Sequence, residues 1–348
     1  EKTGESVETN YLTYDNGTLT VFGTVEVSCG ESAGLSFYSG TLTLAGDGDL
    51  TIAASGSNSA VSGSPQSTLT TAEGFSGSIT LGSVNASAVQ NVVLDLTTGG
   101  DILISSAKNS AVNTPQNPVT LAGKTVTIKG TDETTEASPA NVSTVTAPKL
   151  NVTAGDGVTI TGSGAIPLIA DDNGGECAVT LNAGGDVEIV NKGGMAVFGP
   201  LTVTEAHNVT IGGGGTSLLY SANGVHCINA SGTVKMESSG IVCSGNDANG
   251  LTITGAETVD IAGESTAAPV VTGMTLNECG AATVTRLQYD DTMVPIAYTV
   301  ISDLPVLLRN GSNDIEPQLL WDGEYYQKAA IEDVYMEPSS EAAVYYEA

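Results

Sequence analysis

The densest group of side chains able to do chemistry is the run Asp171-Asp172-Asn173-Gly174-Gly175-Glu176. On a strand, adjacent carboxylates diverge to opposite faces. In a glycine-rich loop they can converge, and Asp171, Asp172 and Glu176 then offer the hard oxygen ligands that calcium takes. The same carboxylates would suit general acid and base work on a glycosidic bond; the ordinary alternative is a solvated turn. His226-Cys227 invites a nucleophile or metal ligand, but no second ligand stands at a defined spacing, so a packed, hydrogen-bonded histidine is expected. His207 reads as a solvent-facing turn residue. The only guanidinium groups are those of Arg286 and Arg309. No catalytic residue is assigned.

Composition narrows the classes further. With 39 Asp and Glu against 10 Lys and Arg, the net charge is −29, so nucleic acid or an anionic membrane would meet a repulsive field. No apolar stretch approaches the roughly 20 residues of a spanning helix, and no membrane insertion is expected. Gly at 43 residues and only 14% charged side chains fit short strands and tight turns better than amphipathic helices. The five cysteines, Cys29, Cys177, Cys227, Cys243 and Cys279, are scattered without CxxC spacing; buried free thiols are expected rather than a disulfide framework or zinc site. Processing ahead of Glu1, and export, are expected from composition alone.

The elements that position these residues come from a repeat. An apolar-polar-apolar triplet, a Gly/Asp/Asn turn and a second such triplet recur along the chain. The second triplets begin at Val25, Leu50, Ile79, Ile102, Val126, Val158, Val187, Val209, Val234, Val259 and Val284, spaced 22 to 32 residues apart. Two residues on, another apolar residue follows in every unit except the last, where Arg286 stands. A third apolar element recurs as Ala60-Val61, Ala88-Val89, Ala111-Val112, Ala196-Val197, Leu218-Leu219 and Val270-Val271. One unit cannot bury its apolar residues alone, but coils stacked at about 4.8 Å pair each strand with its equivalent and align the apolar columns inside.

This pattern resembles the right-handed, pectin-lyase-like parallel β-helix proteins of the secreted or cell-surface bacterial type. The resemblance implies an all-β solenoid of about eleven coils over residues 15–287. Residues 1–14 are expected to form an N-terminal approach or cap, and 288–348 a C-terminal cap or small β module. There Leu319-Leu320-Trp321 and Glu324 to Gln327 read as a hairpin about Asp322-Gly323. The enzymes of this fold imply carboxylate-bound calcium with a basic proton acceptor, or an Asp set with His and an Arg-Lys clamp. Neither the Asn-Thr-Asp nor the Gly-His-Gly element is present.

In the expected register the outward residues of the anchor triplets read Thr51, Thr80, Leu103, Thr127, Thr159, Glu188, Thr210, Lys235, Asp260 and Thr285. Leu103, Glu188, Lys235 and Asp260 interrupt what would otherwise be an ice-binding threonine array. Instead Glu188, Thr210, Lys235 and Asp260 form a polar strip able to read sugar hydroxyls, with a weak ion pair expected between Lys235 and Asp260. Trp321, with Tyr325 and Tyr326, offers a stacking surface or a cap on the open core. The expected protein is a non-catalytic extracellular or cell-surface β-helix, a carbohydrate-binding or adhesive module for polysaccharide or host glycan, monomeric, with calcium as the one cofactor in view. The alternatives are a lyase or hydrolase with a divergent carboxylate site, and a structural stalk.

Overall fold

The computed structural model describes residues 11–30, 32–131, 142–171, 175–245, 250–288, 296–302, 304, 306–315, 317–321 and 325–329. It is an all-β parallel solenoid of about eleven coils, with no helix among the described residues. Each regular coil contributes one strand to each of three sheets. In the anchor sheet the apolar column runs Val25, Leu50, Ile79, Ile102, Val126, Val158, Val187, Val209, Val234, Val259, each paired in parallel with its equivalent one coil on. A second sheet aligns Leu69, Leu94, Val119, Leu150, Val179 and Leu201. The third stacks Leu35, Val61, Val89, Val112, Val145, Ile169, Val197, Leu219, Cys243 and Val271. Almost all of these side chains are fully buried in one continuous core.

The final anchor is different from the expected one. Ala282, not Val284, pairs with Val259, so Val284 stacks on Ile261 and Arg286 on Gly263. Strand side chains alternate with a period of two, and a shift by two residues therefore leaves every side chain on its own face. The inside-outside pattern alone cannot distinguish the two registers. Arg286 is consequently an inward residue, 1% exposed, whose Nε donates to the Ser265 carbonyl at 2.9 Å. Parallel stacking runs on past it, with Val306 on Ala282 and Leu308 on Val284.

Antiparallel pairing then replaces parallel stacking at both ends. Asn313–Ile315 folds back on Val306–Asn310, while Tyr11–Asp15 folds back on Thr18–Phe22 across Asn16 (φ 47°) and Gly17 (φ 81°). Two positive φ values in a two-residue loop make the Asn-Gly turn whose twist suits a hairpin. The hairpin read at Leu319–Gln327 is also present, Leu320 opposite Tyr326 and Trp321 opposite Tyr325.

Side chains immediately before the anchors tie successive coils at the turn. Asp49 Oδ1 accepts from the Ser78 amide at 2.7 Å and Asp101 Oδ1 from Thr125 Oγ1 at 2.8 Å. Asp186 Oδ1 accepts from Asn208 Nδ2 at 2.9 Å, and Asn208 Oδ1 from the Thr233 amide at 2.8 Å. Asp49, Asp101 and Asp186 thus hold successive coils together at the turn, which helps keep the outward columns in line.

Candidate functional site

In the anchor sheet Glu188, Thr210, Lys235 and Asp260 stand on successive coils, each directly opposite the next. The first three are exposed and Asp260 is half-buried. The column continues to Thr283 rather than Thr285, a consequence of the two-residue register shift. The expected Lys235–Asp260 ion pair is replaced by one within the strand: Lys235 Nζ lies 3.4 Å from Glu237 Oε2. Lys235 and Glu237 sit two residues apart on one strand and project from the same face. Both are about half exposed, so the pair orients the ammonium more than it stabilises the fold.

Beside this strip lies a groove of about 470 Å³. The column that makes it reads Val190, Gly212, Glu237 and Ala262 on consecutive coils. Gly212 contributes no side chain where its neighbours do, which opens the floor. Lys192, Glu237 and Glu264 supply charge to the walls, and Leu287, 42% exposed, adds an apolar lip. Backbone geometry does not demand the glycine. A Cβ on Gly212 would meet Val190 Cγ2 at 3.7 Å, an ordinary contact, whereas one on Gly213 would stand 2.7 Å from the Gly194 carbonyl oxygen. A similar notch of about 540 Å³ opens at Gly82, the same place in an earlier coil, among Ala53, Ser105, Val84 and Lys129.

Comparison of the chain with protein-family models, curated proteins and solved structures gave no match. The reading of the site therefore rests on its residues.

The acidic loop is used differently from a free ligand set. Glu176 reaches past the intervening coil, Oε1 accepting from the Ala222 amide and Oε2 from Asn223 Nδ2 at 3.4 Å. The Asp171 amide donates to the Gly175 carbonyl at 3.2 Å. Asp172 lies outside the described residues. Among the described residues, no group of three or more His, Cys, Asp or Glu is placed to hold a metal ion.

His226 is buried as expected but not hydrogen-bonded: neither Nδ1 nor Nε2 has a partner. It occupies the apolar column, opposite Leu251. Burial lowers its pKa to about 4, against the opposing pull of the Glu176 carboxylate. Cys227, the next residue, faces outward and is exposed, contrary to the expectation of buried thiols. Cys177 and Cys243 do lie in the core, and burial pushes both up to about 12, with Asp171 adding to the rise at Cys177. Such thiols are poor nucleophiles. His207 is a turn residue, its Nδ1 3.2 Å from Ser231 Oγ. Trp321 ends the strand Pro317–Trp321, and the side chains of this hairpin fall outside the described residues.

The fixed register thus brings together Glu188, Thr210, Lys235 and Asp260. It does not bring them near the Glu176 brace as one site: Glu188 and its neighbours are on the anchor sheet, and Glu176 precedes the strand Ala178–Ala183 of another. Sequence reasoning missed Lys192, Glu237, Glu264 and Leu287. The available signal was the run Gly212-Gly213-Gly214-Gly215, whose first member sits where the adjacent coils carry Val190 and Glu237.

Proposed function

We propose that this protein is a non-catalytic extracellular or cell-surface β-helix of the pectin-lyase-like bacterial type, monomeric, that binds carbohydrate or adheres to a glycan-bearing surface. The observation carrying this reading is the aligned outward column Glu188, Thr210, Lys235 and Asp260 beside the Gly212 groove. A column repeating at about 4.8 Å on a rigid sheet offers donors and acceptors at regular intervals, which successive hydroxyls of a polysaccharide can engage. Carboxylates and an ammonium read hydroxyls by accepting from and donating to them. Acidic sugars would need a divalent bridge to overcome the charge of −29. Calcium belongs to the proposal as that bridge, met at the strip by Glu188 and Asp260; calcium held by Asp171, Asp172 and Glu176 is proposed as a separate site, since Glu176 precedes a strand of another sheet.

A glycan array run with calcium and with chelator tests the reading. Saturable binding to one glycan class supports it. Failure to bind any glycan under either condition would leave protein adhesion or a stalk as the better account.

A further inference from the structure

We propose that the groove over Gly212 is a subsite for a neutral hexose-type sugar. This rests on the carbohydrate-binding reading and adds a location and a chemical class.

The charge of the walls sets the class. Lys192 and Lys235 line it together with Glu237 and Glu264, two cations and two anions, so the lining is formally neutral. Lys235 is already matched by Glu237 at 3.4 Å, and an incoming carboxylate would have to compete with that partner inside a strongly acidic protein. A sugar hydroxyl avoids this competition: it donates to a glutamate and accepts from the ammonium without displacing either. Apolar groups complete the fit. Gly212 and Gly213 present bare backbone, and Val190 and Leu287 flank them, giving the C–H face of a pyranose a surface to lie on.

The backbone of the walls is fixed before any ligand arrives. The Leu287 amide donates to the Gly263 carbonyl at 2.8 Å, Glu264 to Ser238 at 3.2 Å, Ser239 to Gly213 at 3.2 Å and Gly214 to Asn191 at 3.1 Å. Leu287 is therefore an exposed apolar side chain on a tethered backbone, and its exposure does not come from a loose segment. Binding to such a preformed site costs little ordering.

The Gly82 notch supplies an internal control. It sits three residues after its anchor, as Gly212 does, and is of similar volume, but no carboxylate lines it. At both positions an added Cβ would come no closer than 3.7 Å to its neighbours, an ordinary contact. Valine also suits a strand better than glycine.

The test measures binding of neutral gluco-, galacto- and manno-oligosaccharides to the full chain by calorimetry, for the parent, Gly212→Val, Gly82→Val and Glu264→Gln, with melting curves for each. The parent is expected to bind at least one series. Gly212→Val should lose about tenfold or more in affinity with an unchanged or higher Tm, and Glu264→Gln, which preserves shape, should also weaken binding. Gly82→Val should bind as the parent does. Undiminished binding by both Gly212→Val and Glu264→Gln, equal loss in Gly82→Val, or preference for oligogalacturonate over every neutral series overturns the assignment while leaving carbohydrate binding intact. No binding by the parent to neutral or acidic oligosaccharides overturns both.

Discussion

His226 of one coil pairs in register with Leu251 of the next, placing an imidazole with two unpartnered nitrogens inside an aliphatic column. Its pKa is lowered to about 4 from an unfolded value of about 6.5. The unfolded chain therefore binds the proton first, and stability contributed by the neutral ring is lost as pH falls from about 6.5 toward 4. The difference corresponds to roughly 3 kcal/mol. His226→Leu should remove this dependence and raise Tm even at pH 7.5, because two buried nitrogens no longer go unsatisfied. Comparing melts of the two proteins between pH 7.5 and 4 cancels the carboxylates common to both. Parallel Tm profiles would show that His226 is not held neutral by burial.

The core columns yield a second expectation. Ile128 and Ile189 are fully buried, and Asp at either should cost several kcal/mol by placing an unpaired charge among aliphatic side chains. Glu188, next to Ile189 but facing out, should tolerate Ala with a change of about 0.5 kcal/mol or less. Equal stability of Ile189→Asp and Glu188→Ala would mean the inside and outside of this strand are exchanged.

These contrasts show what a sequence of this kind discloses. The columns through Ile128 and Ile189 were legible because the stacked repeat forces equivalent residues into one line, and each unit repeats the evidence. The register of the last full unit was not, since Val284 and Ala282 differ by two residues and satisfy the same alternation. Polar partners were less legible still. Lys235 can reach Asp260 across coils or Glu237 along its own strand, and a choice between two exposed carboxylates leaves no mark on hydrophobic spacing. The groove at Gly212 is faint in the sequence because it is made by an absent side chain, and glycine is common throughout the chain.

Arg286 tests the corrected register. It fills the space beside Gly263 and binds the Ser265 carbonyl from inside the core. Arg286→Ala should cost about 2–5 kcal/mol, combining an opened cavity with an orphaned carbonyl, and denaturant melts measure it directly. Leu287→Ala, one residue on and 42% exposed, should be nearly neutral for stability. The reverse ranking would be incompatible with an inward Arg286.

Polysaccharide cleavage is not expected. The arginine and histidine groups that such reactions use are poorly placed for it: Arg286 and His226 are buried, His207 is a turn residue beside Ser231, and of the groove lysines Lys235 is already matched by Glu237 at 3.4 Å. Incubation with pectate, polygalacturonate and neutral glucans should release no reducing or unsaturated ends above a buffer blank. Release that is abolished by Asp171→Asn would reinstate the acidic loop as a catalytic site.

The last expectation concerns the strip itself. If Glu188, Thr210, Lys235 and Asp260 act together on glycan, Lys235→Ala and Asp260→Ala should each weaken binding; Tm should stay nearly fixed for the exposed Lys235, whose substitution shifts stability by about 0.5 kcal/mol or less, and change little more for the half-buried Asp260. Lys235→Ala has the larger expected effect, since it also releases Glu237, whose carboxylate loses the ammonium 3.4 Å away and gains repulsion from Glu264 across the groove. Salt should shrink that part of the loss, as exposed charges are screened within about 10 Å at 0.1 M; loss of the hydroxyl contact itself should persist. Binding unaffected by either substitution but abolished by Trp321→Ala would move the site from the coils to the C-terminal hairpin, where aromatic stacking rather than a polar ladder would hold the sugar.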